Sequence, residues 1–161
     1  MAQASRLCNL LKSREELYPT GNNPAASIFL PGAVKKGRFF PPRNEPLLWS
    51  RYYWDGRKWT LYAAVIMPDH VHALVQPLAL PECAGVYDLA EIIHSVKSFS
   101  VHQINRLRGS RGSLWQDERY DRIIRDEEEF LGKWQYIMNN PLKNELVQRW
   151  EDYAWLYIKN N

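Results

Sequence analysis

The sequence predicts an α+β fold in which helices cover an antiparallel sheet. Three observations lead to this prediction: two apolar strands joined by a tight turn, an amphipathic helix that follows them, and a second amphipathic helix further along the chain. Strands and helices arranged around one clear hairpin are typical of a helix-covered antiparallel sheet. The chain has 161 residues, of which 45% are hydrophobic, so we expect a single domain, 1–161, with a sizeable core.

The N-terminal segment, residues 1–45, is irregular. Pro and Gly interrupt it repeatedly, and these residues mark turns and loops. The best candidates for regular structure within it are a short helix at Ser5–Leu17 and a short strand at Ser27–Leu30.

The hairpin begins with the apolar run Thr60–Met67, which is typical of a buried strand. Pro68 and Asp69 form the turn. The run His70–Gln76 is then the partner strand, and Pro77 ends it.

Two helices are predicted from capping residues and apolar periodicity. Asp88 begins the first helix and Gly109 ends it, as N-cap and C-cap preferences indicate. Asp126 begins the second helix, and Pro141 is predicted to end it after Asn140. The apolar stripes expected to face the sheet are Leu89, Ile92, Ile93, Val96, Phe99, Ile104 and Leu107 in the first helix, and Phe130, Leu131, Trp134, Ile137 and Met138 in the second.

The charge distribution is compatible with nucleic acid. The formal net charge is +3, and no Asp or Glu occurs between Ile92 and Gln116. Trp115 and Tyr120 could stack unpaired bases, but core packing is the favoured interpretation for each. The candidate phosphate contacts are Lys97, Arg106, Arg108, Arg111, Arg119 and Arg122, for which the alternative is an ordinary solvated face.

The two cysteines, Cys8 and Cys83, are far apart and match no metal-binding spacing. Because no apolar signal segment is present, we expect free thiols in a cytoplasmic protein. No apolar run is long enough to span a bilayer, so no membrane partner is expected.

The motif His70-Val71-His72 is a candidate metal site. Side chains alternate between the faces of a strand, so the two imidazoles point to the same side while Val71 points to the other. A pair of imidazoles on one face is a partial metal site that needs a third ligand. Two surface histidines with ordinary hydrogen bonds are the alternative.

Tyr136 and Asn140 form a second candidate pair. They are four residues apart on the second helix, and therefore neighbours on one face, away from its apolar stripe. A phenol can act as a nucleophile, and an amide oxygen can bind a divalent cation. The alternative is a Tyr that covers the surface and an Asn that caps the helix before Pro141.

Taken together, four segments resemble the REP-associated tyrosine transposases, which are related to single-tyrosine insertion-sequence transposases. The segments are MPDHVHALV, SVKSFSVHQINRL, LWQDERYDRIIRDEEEF and YIMNNPLKNELV, in that order between about Leu47 and Trp155. The family begins with a strand inside the sheet, and Ser27–Leu30 is the best match to that strand here.

The resemblance implies a ferredoxin-like antiparallel sheet and a transposase, an endonuclease that cleaves and rejoins single-stranded DNA near hairpins. By this resemblance Tyr136 is the nucleophile and carries a 5′-phosphotyrosine. His70, His72 and Asn140 are then the ligands of a divalent metal ion, Mg or Mn.

Other functions remain open at this stage. A defective or domesticated copy would only bind hairpin DNA, and a ferredoxin-like RNA-binding module would carry exposed aromatics on its middle strands. No such aromatic run is visible around His70 and His72. The sequence also leaves open whether the chain acts as a monomer or as a homodimer.

Overall fold

The computed structural model describes residues 28–35, 55–81, 85–116 and 122–159, and within them a five-stranded sheet forms the centre of the fold. Neighbouring strands are antiparallel throughout, in the order β4-β1-β3-β2-β5. The strands are β1 (Ile28–Ala33), β2 (Trp59–Ile66), β3 (His70–Pro77), β4 (Arg122–Ile123) and β5 (Leu156–Ile158). The first four strands have the order of a ferredoxin-like sheet, which confirms the predicted fold class.

Strand β1 lies where the sequence suggested only a short strand at Ser27–Leu30. It pairs with β3 along its whole length and with β4 at Ile28 and Phe29, so it is an interior strand. The irregular segment 1–45 therefore supplies a central part of the sheet. The helix predicted at Ser5–Leu17 lies outside the described residues.

The β2–β3 hairpin contains a β-bulge. Leu61 pairs with Val75, but the next rung joins Ala63 to Leu74, which leaves Tyr62 as the extra residue. Tyr62 therefore joins Ala63 in a single core cluster, and its hydroxyl donates a 2.6 Å hydrogen bond to Gln76 Oε1.

Helix α1 (Leu89–Arg108) covers one face of the sheet and has the predicted ends. Asp88 accepts a hydrogen bond from the Ala90 amide, and Gly109 adopts the left-handed conformation. Val101 and Ile104 of this helix pack in one core cluster with Val71 of the sheet. Ile92 and Val96 pack in a second cluster with Ala73 and Val75.

The predicted stripe of α1 is wrong at two positions. Phe99 is 45% exposed and Leu107 is 65% exposed. The buried position is instead Ser100, whose hydroxyl accepts a hydrogen bond from Trp115 Nε1 at 3.0 Å. Because the Ser100 side chain is small, the Trp115 side chain provides the apolar packing at this position of the helix.

Helix α2 (Glu127–Lys143) packs on the opposite face of the sheet. Asp126 caps it by accepting a hydrogen bond from the Glu129 amide, as predicted. Phe130, Trp134 and Ile137 are buried against the sheet.

The predicted end of α2 is wrong, because Pro141 lies inside the helix. The Asn144 amide still donates to the Asn140 carbonyl, which carries the helix past the proline. Pro141 is buried, so tertiary packing holds the last turn despite the missing donor. A 3₁₀ turn at Trp150–Asp152 then leads to β5. Among the described residues, no helix is long and apolar enough to cross a membrane.

Candidate active site

The two histidines of the predicted metal motif lie side by side at the start of β3. Their ring centroids are 4.8 Å apart, on the face of the sheet that α2 covers. Val71, between them, packs on the α1 side with Trp115 and Ile104. The alternation expected of a strand is therefore confirmed.

Asp69 orients the first histidine. Its Oδ1 lies 2.6 Å from His70 Nδ1, so that nitrogen donates to the carboxylate when the imidazole is neutral. The other ring nitrogen, Nε2, then keeps its lone pair for a ligand. A carboxylate behind a histidine is the usual arrangement around metal-binding imidazoles. The sequence interpretation treated Asp69 only as a turn residue and missed this role.

The second histidine is held in its neutral form. His72 is only 9% exposed, and burial lowers its pKa to about 4, with smaller contributions from the nearby charges of His70 and Lys133. An imidazole with this pKa is uncharged near neutral pH. Only the uncharged ring can donate a lone pair to a cation.

Tyr136 meets His72 from the helix side. Its hydroxyl lies 3.4 Å from His72 Nε2, and the two ring centroids are 5.1 Å apart. Tyr136 is 38% exposed although its neighbour Ile137 is fully buried. The phenol is thus off the apolar stripe, as predicted, and the residue is partly accessible to solvent.

Two lysines flank the phenol and were missed in the sequence. Lys143 Nζ lies 5.3 Å from the centroid of the Tyr136 ring, and the charge of Lys133 acts on His72. Lys133, Tyr136, Asn140 and Lys143 follow the spacing of one helix face, which was the available signal. This face brings positive charge beside a phenol, which suits an anionic substrate.

Asn140 lies one turn after Tyr136 and is 3% exposed. Asn144 Nδ2 donates to its carboxamide oxygen at 3.0 Å and to its carbonyl at 2.9 Å. The cap of the helix is therefore Asn144, and the alternative role of Asn140 as the cap is wrong. An amide oxygen has a second lone pair for a cation, so its role as a third ligand stays a prediction.

The donors present fit a divalent cation in part. The two imidazoles share one face, and Asp69 accepts a hydrogen bond from Nδ1 of His70 when that ring is in the tautomer that leaves Nε2 for a ligand. Within the described part of the chain, no three His, Cys, Asp or Glu side chains are grouped to hold a metal ion. Among the described residues, the Asn140 amide is therefore the candidate for a third ligand.

The predicted phosphate contacts that the structure describes lie in three settings. Lys97 and Arg111 line a groove on the α1 side of the sheet. Arg106 and Arg108 are in the last turn of α1, where cations also stabilise the helix end. The remaining two are Arg122, which is paired with Glu129, and Arg119, which lies outside the described residues.

The two aromatic candidates also differ. Trp115 is 7% exposed and packs in a core cluster with Val34 and Ile104. Tyr120 lies outside the described residues.

Comparisons with known proteins agree with the resemblance. A Haemophilus influenzae protein named "Putative REP-associated tyrosine transposase" is 28% identical over 102 residues, which cover 58% of this chain and 55% of that protein. An uncharacterised protein of the same organism is 30% identical over 104 residues, which cover 55% and 57%. The chain thus spans little more than half the length of these curated relatives. No family model matches the chain.

A comparison of folds finds a similar structure. A solved structure described as a REP-associated tyrosine transposase bound to a REP hairpin superposes with a TM-score of 0.66 at 17% identity. The match covers 82% of this chain and 76% of the other. The α+β fold is confirmed, and the resemblance to REP-associated tyrosine transposases is confirmed with it.

Proposed function

We propose that this protein is a metal-dependent transposase that cleaves and rejoins single-stranded DNA beside hairpins, with Tyr136 as its nucleophile. The observation that carries the proposal is the 3.4 Å approach of the Tyr136 hydroxyl to His72 Nε2. These residues are 64 positions apart and come from a helix and a strand. The named relative and the hairpin-bound structural neighbour support the same reaction class and the same kind of DNA.

The reaction requires a phenol that can reach a phosphodiester. The Tyr136 oxygen attacks phosphorus and forms a bond to it, while the bond from phosphorus to the 3′ oxygen breaks. The phenol gives up its proton and the departing 3′ oxygen takes one up, so a 5′-phosphotyrosine and a free 3′-hydroxyl result. The covalent link keeps the phosphodiester energy, which lets a 3′-hydroxyl reverse the step and rejoin the strand.

His70 and His72 would hold the metal ion, with Asn140 as the proposed third ligand. A bound divalent ion supplies charge stabilisation at the phosphate oxygens and orients the scissile group. Asp69 maintains the tautomer of His70. Burial keeps the His72 ring uncharged, because it lowers the pKa of that imidazole to about 4.

Lys133 and Lys143 complete the proposed substrate surface. Their ammonium groups lie on the same helix face as the phenol, three residues before it and seven after it. A phosphodiester that reaches Tyr136 enters the field of both cations. We expect these lysines to favour binding of the scissile phosphate over binding of an uncharged ligand.

A catalytically defective or domesticated copy that only binds hairpin DNA is the second candidate. One observation favours it: the Asn140 carboxamide oxygen is already engaged by Asn144 at 3.0 Å. If Asn140 does not take part in metal binding, two histidines alone hold the ion weakly. The protein would then recognise DNA without forming the covalent link.

The deciding experiment is the formation of a covalent adduct. Hairpin oligonucleotides with unpaired flanks are incubated with the protein and Mg²⁺ or Mn²⁺, then run on a denaturing gel. A 5′-phosphotyrosine predicts that an oligonucleotide labelled at its 3′ end transfers the label to the protein. The same oligonucleotide labelled at its 5′ end should give a shortened, protein-free fragment.

Tyr136→Phe is the specific variant, because it keeps the ring and removes only the attacking oxygen. It should fold, bind metal and bind DNA, yet form no adduct. His70→Ala should also abolish the adduct, but together with metal binding. Tyr120→Phe is the matched control and should react like the wild type. A covalent link that survives Tyr136→Phe and disappears in Tyr120→Phe would refute the assignment. Wild type that binds hairpins without any adduct would establish the binding-only copy.

A further inference from the structure

A groove lies on the α1 side of the sheet, on the face opposite to the one that Tyr136 approaches. It has a volume of about 630 Å³ and is formed between α1 and the loop that follows it. Lys97 and Arg111 contribute cations to it, and His94 and His102 contribute imidazoles. None of its described lining residues is acidic.

The walls of this groove are held in place by internal hydrogen bonds. Asn105 Nδ2 donates to the Gly112 carbonyl at 2.8 Å, and its Oδ1 accepts from Ser110 at 2.9 Å. Gln116 Nε2 donates to the Val34 carbonyl at 2.9 Å, which fixes the far wall to the sheet. A groove fixed in this way loses little conformational freedom when a ligand enters it.

The chemistry of the lining selects for phosphate. Lys97 and Arg111 offer charge-assisted donors, and no carboxylate of the described lining opposes an anion. The side chain of Lys97 also crosses the Trp115 ring, with Nζ 5.5 Å from its centroid. The volume is that of a pocket for a small organic ligand, so it has room for one or two unpaired nucleotides.

The position of the groove relates it to the candidate active site. Trp115 pairs with Val34, and the Gln116 amide donates to the Ala33 carbonyl, so this segment runs along the outer edge of β1. On the other side of β1, Ala33 is the register partner of His70. Gln116 and His70 are therefore two inter-strand spacings apart, about 10 Å. This separation is short enough for one DNA strand to reach both sites.

We infer that this groove binds an unpaired segment of the DNA strand whose cleavage is proposed at Tyr136. The inference rests on the proposed function for the identity of the strand, but binding in the groove does not require the reaction. Lys97 and Arg111 contact the phosphates of that segment. The groove thus recognises the single-stranded extension of a hairpin and not its paired stem.

The test measures equilibrium binding by fluorescence anisotropy. The full chain carries Tyr136→Phe, so that no covalent product interferes. The probes are a labelled hairpin with an unpaired extension and the same hairpin without it. Lys97→Gln with Arg111→Gln removes two charges from the groove. Arg57→Gln with Arg149→Gln is the matched control, because it removes two charges from residues outside the groove.

The groove variant should bind the extended hairpin at least about tenfold more weakly than the control, and the blunt hairpin equally well. The slope of log affinity against log salt should flatten by about 1.4, since each single-strand phosphate contact contributes about 0.7. Because Arg111 is exposed, Arg111→Gln alone keeps the fold and should give part of the effect.

Two outcomes would overturn the inference. The first is that the groove variant and the control variant bind the extended hairpin equally well. The second is that inorganic phosphate displaces the probe at a concentration equal to that of the phosphates in the DNA. Failure of the proposed function is a separate result. Wild type that forms no adduct, while the groove variant still loses affinity for the extension, would refute the cleavage and leave the groove assigned.

Discussion

Lowering the pH from about 7 to about 5 is expected to destabilise the metal-free protein through His72. Burial lowers the pKa of this imidazole to about 4, whereas the ordinary value is 6.5. Below pH 6.5 the unfolded chain therefore takes up a proton that the folded protein does not, and falling pH favours unfolding. The stabilisation is complete above the unfolded pKa and is lost as the pH falls towards the folded one.

The magnitude follows from the gap between the two pKa values. One pH unit of difference corresponds to about 1.4 kcal/mol, so about 2 kcal/mol should be lost by pH 5 and about 3 kcal/mol by pH 4. Glu129 acts in a different window. Its hydrogen bonds to Arg125 and Arg122 lower the pKa of that carboxyl, so its stabilisation is lost only below the ordinary carboxyl range. Measurements above pH 5 therefore leave out most of the contribution of this carboxyl.

The assay is urea unfolding followed by tryptophan fluorescence at several pH values, with a chelator present. The control is His72→Gln, which has no titrating group at this position. The free energy of unfolding of the wild type should fall more steeply than that of the variant between pH 6.5 and 5. Parallel profiles would show that His72 titrates normally and that burial does not set its charge.

Two further predictions concern residues around the site. Asp69→Asn should weaken Mn²⁺ binding by about tenfold in a calorimetric titration while leaving the fold intact, because the carboxylate behind His70 loses its charge; unchanged affinity would mean that Asp69 serves the turn alone. Tyr62→Phe should lower the free energy of unfolding by about 1 to 2 kcal/mol in urea, because buried Gln76 loses its 2.6 Å donor. A variant as stable as the wild type would show that the bond contributes nothing net.

Features governed by local chemistry could be predicted from the sequence. The caps at Asp88, Gly109 and Asp126 depend on backbone groups within one turn. The shared face of His70 and His72 depends only on the strand period of two. These properties involve neighbours in the chain, so no knowledge of the packed structure is needed to anticipate them.

Features set by tertiary contacts could not be predicted in the same way. Pro31 lies within the interior strand β1, where a missing donor is normally excluded. The Ala33 carbonyl faces the outer edge of β1, since it accepts from Gln116. Backbone groups alternate, so the Pro31 nitrogen faces that same edge, and β4 pairs there only as far as Phe29. The proline therefore removes no backbone hydrogen bond between β1 and β3. This result depends on which strands lie on each side of β1.

The meeting of Tyr136 and His72 was likewise implied only by the family resemblance. Nothing in the spacing of α2 says which face of the sheet it covers. The structure shows that Trp134 and Ile137 pack in the same cluster as Leu74 and Val65. Val65 is the register partner of His72, so the packing of the core also sets the approach of phenol and imidazole.

The energetics of His72 give an independent reason to look for function at this point. Its strand neighbour on the same face, Leu74, and its cross-strand partner, Val65, are fully buried apolar residues. A third aliphatic side chain there would add burial without a polar group to desolvate. The imidazole instead brings a polar group into the edge of the core, and its lowered pKa is expected to make stability fall as the pH decreases. Positions where a sequence departs from the most stable choice are expected at functional sites, and the residue that contacts His72 from α2 is the exposed phenol of Tyr136.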